Sequence, residues 1–141
     1  MKNHMNIEIT IPSQTRYLSL IGRIGENLAQ ELGEFTHDTE TLGQHLNVVL
    51  TEALVNAIKH ANAADATKEV IIRICVSGRE LLISVYDNGK GFDLNSVPCE
   101  ECPEPLGEQG RGIFIIRSLM DSVEYKKISG GNVLEMKKRL D

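Results

Sequence analysis

The sequence predicts a two-layer α/β sandwich whose mainly antiparallel sheet is covered on one face by helices, and three observations carry that prediction. Val70–Val76 and Leu81–Tyr86 are rich in β-branched and aliphatic residues and flank Ser77-Gly78-Arg79-Glu80, the pattern of a hairpin. A second hairpin reads as Val123–Ile128 and Val133–Lys138 around Ser129-Gly130-Gly131-Asn132. Strands joined by such short turns run antiparallel. The helical segments carry apolar stripes, which need a sheet face to bury against.

The elements follow in order. Ile7, Ile9 and Ile11 alternate with polar residues, the period of a half-buried strand, and Pro12 closes it. From Thr15 to Glu31, a stripe of Tyr17, Leu20, Ile21, Ile24, Leu28 and Leu32 recurs at three- and four-residue steps and ends at Gly33. Asp38 suits the N-cap of a second helix, with the stripe Leu42, Leu46, Val49, Leu50, Ala53, Leu54, Ala57 and Ile58. Asp93–Gln109 has no apolar period. It contains Pro98, Pro103 and Pro105 with Glu100, Glu101, Glu104 and Glu108, and reads as a loop. Loops beyond about 12 to 15 residues in a compact domain are mostly active-site lids or disordered segments. A third helix is expected from about Gly112 to Met120.

With 141 residues, the chain reads as a single domain over 1–141 that folds without disulfides. Fifteen Lys and Arg against twenty Asp and Glu give a net charge of −5, which argues against nucleic acid as a direct partner, because duplex affinity rests on clustered basic residues. No apolar run suffices to span a bilayer, and no basic segment followed by an apolar signal core opens the sequence, so a cytoplasmic location without membrane association is expected. Cys75, Cys99 and Cys102 are too few for a disulfide framework. The Cys99-Glu100-Glu101-Cys102 pair supplies only two of the four ligands of a structural zinc site and reads as chance or a loop thiol pair.

Three clusters carry chemistry. Glu52, Asn56 and His60 stand at i, i+4 and i+8, on nearly one side of the second helix. An Asn carbonyl suits Mg²⁺, which keeps several waters and takes its other oxygens from phosphates. A nearby Glu can deprotonate an attacking hydroxyl. Asp87-Asn88-Gly89-Lys90-Gly91-Phe92-Asp93 follows a strand; the carboxylate can accept from an exocyclic amine such as that of adenine, and the two glycines let the backbone approach a flat ligand. Gly107-Glu108-Gln109-Gly110-Arg111-Gly112 runs into an apolar helix, whose free N–H groups at its start attract phosphate. Each cluster alone also fits a solvated helix face, a plain turn or a glycine-rich cap.

Together, Thr51-Glu52-Ala53-Leu54-Val55-Asn56-Ala57-Ile58-Lys59-His60, Asp87-Asn88-Gly89-Lys90-Gly91-Phe92 and Gly110-Arg111-Gly112-Ile113-Phe114-Ile115-Ile116 resemble the three ATP-binding boxes of the gyrase, chaperone, histidine-kinase and mismatch-repair ATPase superfamily. The chain is most similar to the small bacterial anti-sigma-factor serine/threonine kinases of partner-switching systems. That resemblance implies a Bergerat fold with an ATP lid at about 93–109. It implies ATP and Mg²⁺ as cofactors, with Asn56 holding the metal and Asp87 reading the adenine amine. Gly89 and Gly91 would shape the base pocket, and Gly110, Arg111 and Gly112 would lie at the phosphates. Glu52 would be the catalytic base for an acceptor serine. The implied partners are an anti-anti-sigma protein as substrate, a sigma factor and a second copy in a homodimer. Some members of that family carry a lid arginine where Glu108 stands nearby here, and the lid glutamates repel a triphosphate unless they face outward. The alternative is therefore a nucleotide-binding module of the same fold that sequesters a partner without phosphorylating it.

Overall fold

The computed structural model describes residues 4–62, 65, 67–88 and 107–141. Five strands form one sheet: β1 (His4–Pro12), β2 (Glu69–Ser77), β3 (Glu80–Asp87), β4 (Ser122–Ile128) and β5 (Gly131–Arg139). Their order is β1-β2-β3-β5-β4, and every neighbouring pair is antiparallel. The helices are α1 (Leu18–Glu31), entered through a 3₁₀ turn at Thr15–Tyr17, then α2 (Thr39–Val55) and α3 (Gly107–Leu119).

The pairing register explains the two layers. Residues directly opposite one another across a sheet share a face. One such row is Ile9, Ile72, Val85, Leu134 and Tyr125, and the next inner row is Ile7, Ile74, Ile83, Met136 and Val123. Both rows join one core with Ile21 and Leu28 of α1, Leu46, Leu50 and Leu54 of α2, and Ile113 and Ile116 of α3. The intervening row is Glu8, Arg73, Ser84, Glu135 and Glu124, on the opposite face. Truncating a fully buried side chain such as Leu54 to Ala would cost about 2 to 5 kcal/mol.

Local signals set the boundaries. Asp38 caps α2: its Oδ1 accepts from the Thr41 amide at 2.9 Å, and its Oδ2 from the Thr41 hydroxyl at 2.6 Å. The Thr41 hydroxyl first, and then its amide, hold the Asp38 carboxyl below the usual carboxylate range. At the far end of α3, Lys138 Nζ donates to the Leu119 carbonyl at 2.8 Å, satisfying a carbonyl that has no partner within the helix.

Three details differ from the sequence reading. Gly131 and Asn132 belong to β5, so the second hairpin turns on Ser129-Gly130 alone, with Gly130 at φ +83°. After Val55, α2 widens into a π-helical turn, Asn56–Ala61, closed by the Asn62 amide donating to the Ala57 carbonyl at 2.8 Å. The α-helical projection that aligned His60 with Glu52 and Asn56 therefore stops applying after Asn56. Finally, α3 begins at Gly107 and not near Gly112, so Gly107–Gln109, read as the end of a loop, is helical. The apolar period begins only at Ile113, and glycines disfavour a helix by about 1 kcal/mol each, yet packing of α3 on α2 overrides that preference.

Candidate functional site

The end of α2 presents Glu52 and Asn56 one turn apart. Asn56 is buried at 3% exposure, and neither Nδ2 nor Oδ1 of its carboxamide has a hydrogen-bond partner among the described residues. A buried amide in that state costs about 1 to 3 kcal/mol, so the fold holds it against its own stability. A hard cation or its water shell would engage the free Oδ1. A single amide oxygen suits a cation such as Mg²⁺, which keeps several waters and needs few protein ligands.

Gly112 of α3 closes over the same two side chains. A Cβ built there would lie 2.8 Å from Glu52 Oε2 and 3.7 Å from Asn56 Nδ2. The glycine thus serves as a steric gap that admits the Glu52 carboxylate between the helices. Because α3 starts at Gly107, Gly110 is the last of its four N-terminal positions with a free N–H, and Gly112 lies beyond them. Gly110 is buried, whereas Arg111 is exposed on α3.

A second group of side chains gathers at the end of β3. Asp87 is 5% exposed; its Oδ1 accepts from Asn132 Nδ2 at 2.9 Å, and its Oδ2 accepts from the Tyr125 hydroxyl at 3.3 Å. Asp87 and Asn132 are opposed in register, and Tyr125 stands one strand further out, on the same face. Two donors from neighbouring strands hold the carboxylate in one orientation, which suits an acceptor built to read a ligand amine. The chain leaving β3 passes so close to β5 that a Cβ on Gly131 would overlap the Asp87 carbonyl oxygen. Only glycine fits there.

Of the residues singled out from the sequence, the structure brings together Glu52, Asn56 and Gly112, and sets Asp87 at the end of a central strand. Gly89 and Gly91, with Lys90, Phe92, Cys99, Cys102 and the lid up to residue 106, lie outside the described residues. The side chains of His60, Glu108 and Gln109 do as well. Sequence reasoning missed Asn132 and Tyr125, which it read as parts of the second hairpin's turn and strand. It also missed Asn62, which is fully buried and whose Oδ1 accepts from the Asn88 amide at 3.0 Å. Their signal is a polar residue on a strand's inner face or at a helix end, visible only once the strand order is known.

Among the described residues, no helix is long and apolar enough to cross a membrane. A family model described as the histidine kinase-like ATPase domain matches residues 11–138. The serine-protein kinase RsbW of Bacillus subtilis (strain 168) is 31% identical over 141 residues, spanning 94% of this chain and 86% of that protein. RsbW of Listeria monocytogenes serovar 1/2a is 28% identical, over 95% of this chain and 87% of the relative. A solved histidine kinase domain from the Erythrobacter litoralis EL346 blue-light activated histidine kinase superposes with a TM-score of 0.53 at 22% identity. That likeness covers 92% of this chain and 62% of the other, and is one of fold.

Proposed function

The chain belongs to the histidine kinase-like ATPase family, among relatives of the serine-protein kinase RsbW, and on that premise we propose that it is an ATP-dependent protein-serine/threonine kinase acting as an anti-sigma factor. The observation that carries the reading is the buried carboxamide of Asn56, without a partner among the described residues, beside Glu52 and under Gly112.

In this reading Asp87, held by Asn132 and Tyr125, accepts from the adenine amine and fixes the base end of the nucleotide. Asn56 would hold Mg²⁺ through its Oδ1. Mg²⁺, when bound, neutralises developing charge on the phosphates. Glu52 takes the proton of the acceptor serine hydroxyl as that oxygen bonds to the γ-phosphorus and the bond to the β-phosphate oxygen breaks. Gly110 and Arg111, at the start of α3, face the phosphate end; Gly89 and Gly91, which the family resemblance puts at the base, lie outside the described residues. The substrate is an anti-anti-sigma protein that competes with a sigma factor for this chain, and the kinase acts as a homodimer, folded as one domain over residues 1–141.

The test is transfer of labelled phosphate from ATP, with Mg²⁺, to candidate antagonist domains encoded beside the gene. Transfer to a serine or threonine that is lost in Glu52→Gln, with ATP binding retained, is the expected outcome. ATP binding and partner sequestration with no transfer to any antagonist would make the chain a binding module of the same fold.

A further inference from the structure

Asn62 lies immediately after the π-helical turn that begins at Asn56, and every polar group it owns is used. Its amide closes that turn on the Ala57 carbonyl, and its carbonyl accepts from the Asp65 amide at 3.0 Å. Its side chain reaches three other segments. Nδ2 donates to Ser13 Oγ at 3.2 Å and to the Glu69 carbonyl at 3.4 Å, where β1 and β2 begin to pair, and Oδ1 accepts from the Asn88 amide at 3.0 Å. The two ends of the carboxamide cannot be exchanged, because the Glu69 carbonyl only accepts and the Asn88 amide only donates. Asn62 is 0% exposed and Ser13 2%.

The bond to Asn88 falls where the sheet has stopped supplying partners. The last β3–β5 pair is Asp87 with Asn132, and the last β2–β3 pair is Ile71 with Tyr86. Asn88 follows Asp87 directly, so its amide lies beyond both ladders. A side chain from the end of α2 completes it. An apolar residue of the same shape would leave the Glu69 carbonyl and the Asn88 amide, both backbone groups, without this partner.

We propose that Asn62 is a positioning residue of the nucleotide site, holding the Asn88 amide, and with it the Asp87 end of β3, at a fixed place relative to the turn that carries Asn56. One side chain thereby couples the base-reading strand to the metal-binding helix end. This inference rests on the ATP-site reading above.

Three variants separate positioning from stability. Asn62→Ala removes both ends of the link, Asn62→Asp keeps an oxygen facing Asn88 but loses the donor toward Glu69, and Ser13→Ala removes only the contact at β1. Affinities for AMP without Mg²⁺ and for ATP with it, the Tm, and the exchange rate of the Asn88 amide are measured for each. The expected result for Asn62→Ala is affinity about tenfold weaker for both nucleotides and Asn88 exchange at least about tenfold faster, the range set by leaving a donor unmatched. Asn62→Asp and Ser13→Ala lower the Tm but keep affinity within about threefold of wild type, a split that a purely structural role would not give. If Asn62→Ala does not fold, Asn62→Leu, which fills the space without an acceptor, takes its place with the same expectation. An Asn62→Ala protein that binds AMP as tightly as wild type, or affinities that simply follow the Tm across all variants, overturns the assignment of Asn62 alone. A wild type that binds no adenine nucleotide overturns the ATP reading and this assignment with it.

Discussion

Asn132 donates to Asp87 across the β5–β3 pair at 2.9 Å, with both side chains buried. If that bond sets the carboxylate for an exocyclic amine, Asn132→Ala lets it rotate toward the Tyr125 hydroxyl and weakens ATP binding by about tenfold to a hundredfold, the range for a bond to a charged group. GTP, whose base offers a carbonyl at the corresponding edge, should lose less. Calorimetric titration of both nucleotides checks this; equal affinities for ATP in wild type and variant would remove Asn132 from the site.

The gap at Gly112 predicts a separation of stability from catalysis. A methyl group there meets only the far end of the Glu52 side chain, which can move, and alanine favours the helix over glycine by about 1 kcal/mol. Gly112→Ala should therefore unfold at the same or higher urea concentration while phosphoryl transfer falls by about tenfold or more, because Glu52 has been pushed from its place. A variant that loses stability and keeps transfer contradicts this account.

Gly131→Ala should behave in the opposite way. Its Cβ meets backbone at Asp87 and Asn88, which cannot move without breaking the end of the sheet. A loss of about 3 kcal/mol or more is expected, comparable to severe core overpacking. Chemical denaturation of the purified variant measures it.

Asn56→Leu removes a buried amide that has no partner among the described residues and puts an apolar group of similar size in its place. Stability without ligand should rise by about 1 kcal/mol, while the Mg²⁺-dependent part of ATP binding disappears. Denaturation midpoints with and without Mg·ATP show both effects, and a midpoint lower than wild type without ligand would count against the orphaned amide.

The Asp38 cap predicts a pH dependence. The native carboxyl titrates below its ordinary value of 3.8, so its contribution is complete above that value and is lost as pH falls through the lowered native one. The gap in urea midpoint between wild type and Asp38→Ala should stay constant from pH 7 to about 5 and shrink below about pH 4. A gap that widens on acidification would reverse the sign.

Much of this arrangement is legible in the chain because it is local. Ile7, Ile9 and Ile11 declare a strand face, Leu42 to Leu54 declare a helix face, and Asp38 caps by contacts within three residues. Glu52 and Asn56 are close in sequence, so their meeting needs only a helix. What escaped the sequence depends on distant partners. The start of α3 rests on its packing against α2, which outweighs the helix penalty of its glycines. The π-turn is closed by Asn62, whose side-chain contacts lie just after β1, at the start of β2 and just after β3. Tyr125 and Asn132 face Asp87 only because β5, and not β4, lies beside β3.

That strand order has a consequence during synthesis. Asp87 and Asn132 are 45 residues apart, and β5 leaves the ribosome after the other four strands of this sheet. A nascent chain complete through β3 holds Asp87, Asn62 and the Asn56 helix end, yet the Asp87 carboxylate lacks the Tyr125 and Asn132 donors until β4 and β5 dock. Closing that long loop is the slow, non-local step of folding. On the ATP reading, cellular nucleotide cannot rescue a half-made chain and stabilises only the finished one, by mass action on a site the last strand completes.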